Sequence, residues 1–197
     1  MQKANPKKNL CKPQQQSRPG IESKMVPKPS TAPSVESKGG KLTNKIAFII
    51  GGDSGIGKAT ALLCAKKGAD IVIAYLNEHT DAQVVKREIE EKYKRKCLLI
   101  PGDISKERFC IASVKKAVKA FGRINILVNN AGIHYETKIL LDVTTRHLLK
   151  NFATNIFSMF WITKEALPHL SKGSSIINIT SVTAYREQRR FNRLFSY

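Results

Sequence analysis

Five short apolar runs recur along the chain, and between them apolar residues return at helical spacing. The first run, Lys45–Ile50, is β-branched and ends in Gly51-Gly52. Ala59–Lys67 follows with the spacing of a helix, stopped by Gly68. Ile71–Tyr75 is a second run. Asp81–Lys94 reads as a polar helix with Val84, Val85 and Ile89 on its inner face. Cys97–Ile100 is a third run, closed by Pro101-Gly102. Lys106–Phe121 reads as a helix with Ile111, Val114, Ala117, Val118 and Phe121 inside, and Ile124–Val128 is a fourth run. A long helix is predicted over Thr144–Leu167, with Pro168 at its end, and Ser175–Ile179 is the fifth run. Runs that are apolar throughout and alternate with helices predict strands covered on both faces of a parallel sheet. Right-handed crossovers then give an α/β, doubly wound architecture. No internal repeat is visible.

Charge changes this picture at one end. The 197 residues carry 34 Lys+Arg against 15 Asp+Glu, a net charge of +19. Residues 1–40 hold eight basic residues, two acids (Glu22 and Glu36) and six of the eight prolines. With few large apolar residues they bury too little surface to offset their ordering entropy, so they read as a basic Pro-rich arm, disordered or draped over its own domain. An arm seeking nucleic acid would interleave aromatics for base stacking, and this one does not. The densest basic cluster, between Lys86 and Lys96, is interleaved with Glu88, Glu90 and Glu91, the pattern of a solvated helix face. Nucleic acid is therefore not the expected partner, although a basic nucleic-acid-binding protein stays as an alternative class. The stretches Ile46–Ile50 and Ile156–Ile162 are far short of the ~20 residues of a membrane helix, and no secretory leader follows the early lysines. Cys11, Cys64, Cys97 and Cys110 show no metal or disulfide spacing, so no metal is expected and reduced thiols in a cytoplasm are the default.

The chemistry starts at the end of the first run, in Gly51-Gly52-Asp53-Ser54-Gly55-Ile56-Gly57-Lys58. Gly51 allows a tight turn, Gly55 lets backbone approach a phosphate, and Gly57 lets the next helix pack close to the sheet. That helix start offers free N–H groups and the positive end of its dipole to a pyrophosphate. Strand, glycines and helix come in the required order.

Together with Asn129-Asn130-Ala131-Gly132 after the fourth strand and Asn155 in the following helix, this turn resembles the short-chain dehydrogenase/reductase family. The resemblance covers residues 41 to about 185, a Rossmann-like NAD(P)-binding domain. The strings GGDSGIGKA, YLNEH, PGD and TNIFSMF, and Pro19-Gly20-Ile21-Glu22 in the arm, are similar to a bacterial general-stress or glucose-dehydrogenase-like subgroup. The resemblance implies an NAD(P)-dependent oxidoreductase that transfers hydride between nicotinamide and a small alcohol or carbonyl substrate. Gly51, Gly55, Ile56 and Gly57 would line the cofactor phosphates, and Asp103 with Ile104 would contact the adenine. Asn130, Ala131 and Gly132 would pack along the cofactor. Asn155 would hold a water of the proton relay, and Ser181 would hydrogen-bond the substrate oxygen. Full-length relatives would be homo-oligomers through the long helix. Ile50 stands where the family usually has Thr. Cofactor choice rests on the end of the second strand, where an acid would bond the ribose hydroxyls and repel a 2′-phosphate. Tyr75-Leu76-Asn77 offers none before Glu78, which tilts the choice of NADP or NAD toward NADP.

The resemblance breaks where the family places its proton donor, a Tyr with a Lys four residues on. Position 194, thirteen after Ser181, is Leu194; Tyr185 is followed by Arg189, and Tyr197 by nothing. Arg190–Tyr197 can be encoded so that reading one base later gives Asp-Leu-Ile-Asp-Tyr-Ser-Ala-Thr, similar to the subgroup's active-site segment, with its Tyr at position 194. Residues 186–197 are thus expected to be a frameshifted tail on a C-terminally incomplete, inactive oxidoreductase. A nucleotide-binding pseudoenzyme is the alternative. The fifth strand and the Phe152, Ile156, Phe160, Trp161 side of the long helix are expected to lie exposed.

Overall fold

The computed structural model describes residues 22–27, 40–135 and 139–181. In chain order the elements are β1 (Ile46–Ile50), α1 (Gly55–Lys66), β2 (Asp70–Tyr75), α2 (His79–Lys92), β3 (Cys97–Pro101), α3 (Glu107–Phe121), β4 (Ile124–Asn129), α4 (Thr145–Phe152), a π-helical segment (Ala153–Phe157), α5 (Ser158–Ala166) and β5 (Leu170–Asn178). The strands form one sheet, ordered β3-β2-β1-β4-β5, and every pair is parallel. This is the doubly wound, Rossmann-like arrangement.

The period of two along each strand sorts the core into two layers. Ala47 and Ile49 of β1 face α1 and α2, meeting Leu62, Ala65, Val85 and Ile89. Ile46, Phe48 and Ile50 face the other way, packing with Cys110, Val114 and Ala117 of α3 and Ile162 and Ala166 of α5. All five β1 residues are buried, because both faces are covered. The edge between β1 and β4 is pinned at its start by Asn125, whose Oδ1 accepts the Ile46 N–H at 2.9 Å.

Three details differ from the pattern reading. Val84 is 46% exposed; Val85 and Ile89 alone of the proposed trio turn inward, since Val84 lies a hundred degrees round the helix from Val85. α1 begins at Gly55, four residues earlier than its apolar spacing suggests, because its first turn is built from the glycines themselves. β5 begins at Leu170, but its ladder with β4 shifts register between Leu170 and Ser175 and becomes regular only from Ser175 to Asn178. The apolar run therefore marked the regular ladder and missed the bulged start. The long helix is continuous through α4 and α5, capped by Thr144, whose Oγ1 accepts the His147 N–H at 3.2 Å. No helix among the described residues is long and apolar enough to cross a membrane.

Candidate functional site

The carboxyl ends of β1, β2, β3 and β4 open into one cavity of about 760 Å³, at the crevice where open α/β sheets bind ligands. Its floor is the turn after β1. Gly51 has φ +74°, donates its N–H to the Ala74 carbonyl at 2.7 Å, and has its own carbonyl bound by Asn130 Nδ2 at 3.0 Å. Gly57 sits in the first turn of α1, and a Cβ there would lie 1.8 Å from the Gly51 oxygen. Only a hydrogen fits, so this glycine sets how closely the helix start approaches the turn.

The rest of the wall comes from loops. Asp53 and Ser54 lie beside Tyr75, Leu76 and Glu78 at the end of β2. Asp103 and Ile104 follow β3, and Asn130, Ala131 and Gly132 follow β4. Lys150 and Thr154 reach in from the long helix. Of the residues singled out from the sequence, Gly51, Asp103, Ile104, Asn130, Ala131 and Gly132 thus share one cavity. Gly55, Ile56, Gly57 and Asn77 are not in its wall; Ile56 is 64% exposed, and the Asn77 N–H is taken by the Glu78 carboxylate at 2.9 Å. Asn155 clamps the loop after β4, accepting the Ile133 N–H at 2.8 Å and donating Nδ2 to the Ile133 carbonyl at 2.7 Å. It does so from the π-helical segment, a distortion that recurs at functional sites. Ser181 lies three residues beyond β5, exposed and outside the cavity wall. Tyr185, Arg189, Leu194 and Tyr197, with the whole 186–197 tail, fall outside the described residues, as does Cys11.

Several side chains at the site carried no signal in the pattern. Lys150 Nζ donates to Asp103 Oδ2 at 2.9 Å and to Ser105 Oγ at 2.7 Å, tying the long helix to the β3 loop. Burial alone would raise the Asp103 carboxyl, but hydrogen bonds from Lys150 and Ser105 outweigh it and hold the pKa below its ordinary value. Thr154 Oγ1 is buried in the wall and makes no hydrogen bond among the described residues. Asp53, within the glycine turn, is 6% exposed, and burial foremost raises its pKa from 3.8 to about 6. Glu22, an arm acid and the end of the Pro19-Gly20-Ile21-Glu22 string, reaches the start of α1. Its carboxylate accepts the Gly55 N–H at 2.6 Å and the Lys58 ammonium at 2.5 Å, and its own N–H donates to Asp81 Oδ2 at 3.0 Å. Ser54, at the N-cap position of α1, makes no capping bond; the acid from the arm takes that place.

Burial pushes the Cys64 thiol up to about 11 and those of Cys97 and Cys110 up to about 12, so none supplies a thiolate at neutral pH. Among the described residues no group of His, Cys, Asp or Glu is arranged to hold a metal ion. What the cavity does fit is an extended phosphate-bearing ligand. It has a glycine turn at a helix start, an unpartnered buried hydroxyl, and loops from four parallel strands.

Comparison with known proteins agrees with that geometry. The family model described as short chain dehydrogenase matches residues 45–193. Over 174 residues the chain is 52% identical to the uncharacterized oxidoreductase YhdF of Bacillus subtilis, covering 88% of this chain and 60% of that one. General stress protein 39 of the same organism is 45% identical over 182 residues, covering 92% of this chain and 63% of the relative. NADPH-dependent aldehyde reductase 1 of Arabidopsis thaliana is 39% identical over 180 residues, covering 89% and 62%. Among solved structures, a short chain dehydrogenase from Burkholderia cenocepacia in complex with NADP superposes with a TM-score of 0.73 at 32% identity, covering 75% of this chain and 60% of that one. The chain thus spans about three fifths of the length of these relatives.

Proposed function

Because this chain belongs to the short chain dehydrogenase family, we propose that its cavity binds a nicotinamide dinucleotide, NADP or NAD, as the cofactor portion of an oxidoreductase acting on a small alcohol or carbonyl compound. The observation that carries the reading is the contact between Gly57 and the Gly51 carbonyl, which sets the amide-rich start of α1 against the turn flooring the cavity. Gly51 and Asn130 hold that turn, and the backbone of Gly55, Ile56 and Gly57 is assigned to the diphosphate, which has to displace the Glu22 carboxylate from the Gly55 N–H. Asp103 and Ile104 take the adenine side, and Ala131 and Gly132 the side of the β4 loop. Asn155 is assigned to the nicotinamide end, where it orients the loop after β4 through Ile133, and Ser181 to the substrate oxygen.

When bound, the nicotinamide accepts or delivers the hydride. Proton transfer in the family's manner needs a Tyr with its pKa lowered by a nearby Lys. Residues 182–197 contain no Tyr-x-x-x-Lys pair. We therefore read these 197 residues as binding the cofactor without turning it over, the behaviour of a nucleotide-binding pseudoenzyme. Calorimetric titration with NAD and NADP, run beside an alcohol-oxidation assay, tests both halves. Expected are saturable binding of at least one dinucleotide and no measurable turnover. No binding by a folded chain overturns the first half, and turnover at rates usual for enzymes overturns the second.

A further inference from the structure

We propose that Asp53 makes this cavity select NAD over NADP, by placing a carboxylate where a phosphate on the adenosine ribose would have to sit. The proposal rests on the cofactor reading above and deepens it. In dinucleotide folds the ribose lies at the end of the second strand, where an acid bonds its hydroxyls and a basic residue receives a 2′-phosphate. Strand β2 ends at Tyr75, followed by Leu76 and Asn77, and supplies neither. The fold brings the acid from elsewhere: Asp53, in the glycine turn, lines the same stretch of wall as Tyr75, Leu76 and Glu78. Its charge is felt there, since Asp53 and Glu78 add to the effect of burial in raising the Tyr75 hydroxyl.

The surrounding charges do not offset it. Glu78 and Asp81 both act on Asp53 with like charge, and Asp81 is itself 7% exposed. Lys58, in the first turn of α1, and Lys150, in the cavity wall, are both engaged. Lys58 is held by the Glu22 carboxylate, with the two side chains only 15% and 11% exposed. Lys150, the one Lys or Arg in the described cavity wall, is bound to Asp103 and Ser105. Glu22 thus takes up from the arm the ammonium of the first turn of α1. A dianionic phosphate entering this corner would meet carboxylates of like charge in a partly desolvated site, a juxtaposition that disfavours binding. The ribose hydroxyls of NAD instead find an acceptor.

The test is binding, so it needs no turnover. The full 197-residue chain is titrated calorimetrically with NAD and with NADP at pH 8, wild type beside Asp53→Asn, Asp53→Ser and Glu22→Gln, each checked for native circular dichroism. Wild type is expected to hold NAD at least about tenfold more tightly than NADP. In Asp53→Asn that ratio is expected to fall about tenfold, mostly through tighter NADP. Asp53→Ser, a smaller side chain, gives the same reading if the amide is not accommodated. Glu22→Gln, which frees Lys58, is expected to shift the ratio the same way by about two- to threefold. Equal or tighter binding of NADP by wild type overturns the proposal while leaving the cofactor reading intact. A preference for NAD that survives both Asp53 variants overturns the role of Asp53. Failure of a folded chain to bind either dinucleotide overturns the cofactor reading, and this inference with it.

Discussion

Phe48 and Phe160 are the same residue type, yet one is fully buried and the other 64% exposed. The contrast runs through the whole molecule. On the cofactor side, β1 and β2 have a strand on each flank and helices above and below, and their Ile and Val residues are at or near zero exposure. On the other side, β5 is flanked only by β4 among the described residues, and Ile176 and Ile177 are 38% and 43% exposed. Along the long helix, Ile162 and Ala166 face α3 and are buried, whereas Phe152, Ile156 and Phe160 face outward. A strand or helix of given hydrophobicity becomes core only where a second layer covers it. Burial is therefore concentrated around β1, β2 and β4, away from the β5 edge.

The largest expected effect breaks the contrast from its buried side. Phe48→Ala removes a ring packed among Val72, Val114 and Leu127, where nothing is free to collapse inward, and is expected to cost about 3–5 kcal/mol in urea unfolding. A loss below about 1 kcal/mol would mean that the Phe48 layer is not the closed core it looks to be. Next comes Gly57→Ala. The added methyl would strike the Gly51 backbone oxygen rather than a side chain that can rotate away, so helix or turn must move. Up to about 3 kcal/mol is expected, together with loss of dinucleotide binding. Retained affinity would separate the glycine contact from the ligand site.

The third prediction concerns pH. The folded pKa of Asp53, about 6, lies above its ordinary 3.8, so the fold prefers the protonated acid. That contribution is fully present below about pH 4 and is lost as pH rises through 6. Asp53→Asn does not titrate. Relative to wild type it is expected to gain up to about 3 kcal/mol between pH 3.5 and pH 7.5, read as diverging Tm values. Parallel Tm curves would show that the carboxyl is better solvated than its 6% exposure implies.

How much of this was legible in the sequence follows the same division. The five strands, their alternation with helices, their cover on both faces and the glycine turn could be read, because local periodicity and backbone demands such as the Gly57 contact are written in neighbouring residues; the strand order was not. Asp103, Ile104, Asn130, Ala131 and Gly132 come from the family resemblance, and they share one cavity wall because each follows a strand end and strand ends converge in a parallel sheet. The residues missed are those whose partners are distant along the chain. Glu22 meets Gly55 across 33 positions, and Lys150 meets Asp103 across 47. Asp53 was hidden differently: its neighbours in sequence are glycine and serine, and its acidic surroundings arrive only when α2 folds over the turn. Val84 failed for want of a sharper face, since a polar helix with adjacent valines does not say which one points inward.

The smallest effect sharpens the comparison from the exposed side. Phe160→Ser removes a ring that is 64% exposed and whose recorded neighbour is the Lys164 ammonium, 6.0 Å from its centroid. Little apolar area leaves the core with it, so unfolding free energy is expected to stay within about 0.5 kcal/mol of wild type. Self-association should respond instead. Phe160 belongs to an outward stripe with Phe152 and Ile156, and a contiguous apolar surface of this kind drives contacts between chains. Light scattering at increasing concentration is expected to show fewer large species for Phe160→Ser than for wild type at equal stability. If the serine variant were instead destabilised as much as Phe48→Ala, the outward face of the long helix would be core after all, and the division between the two halves of the sheet would fail.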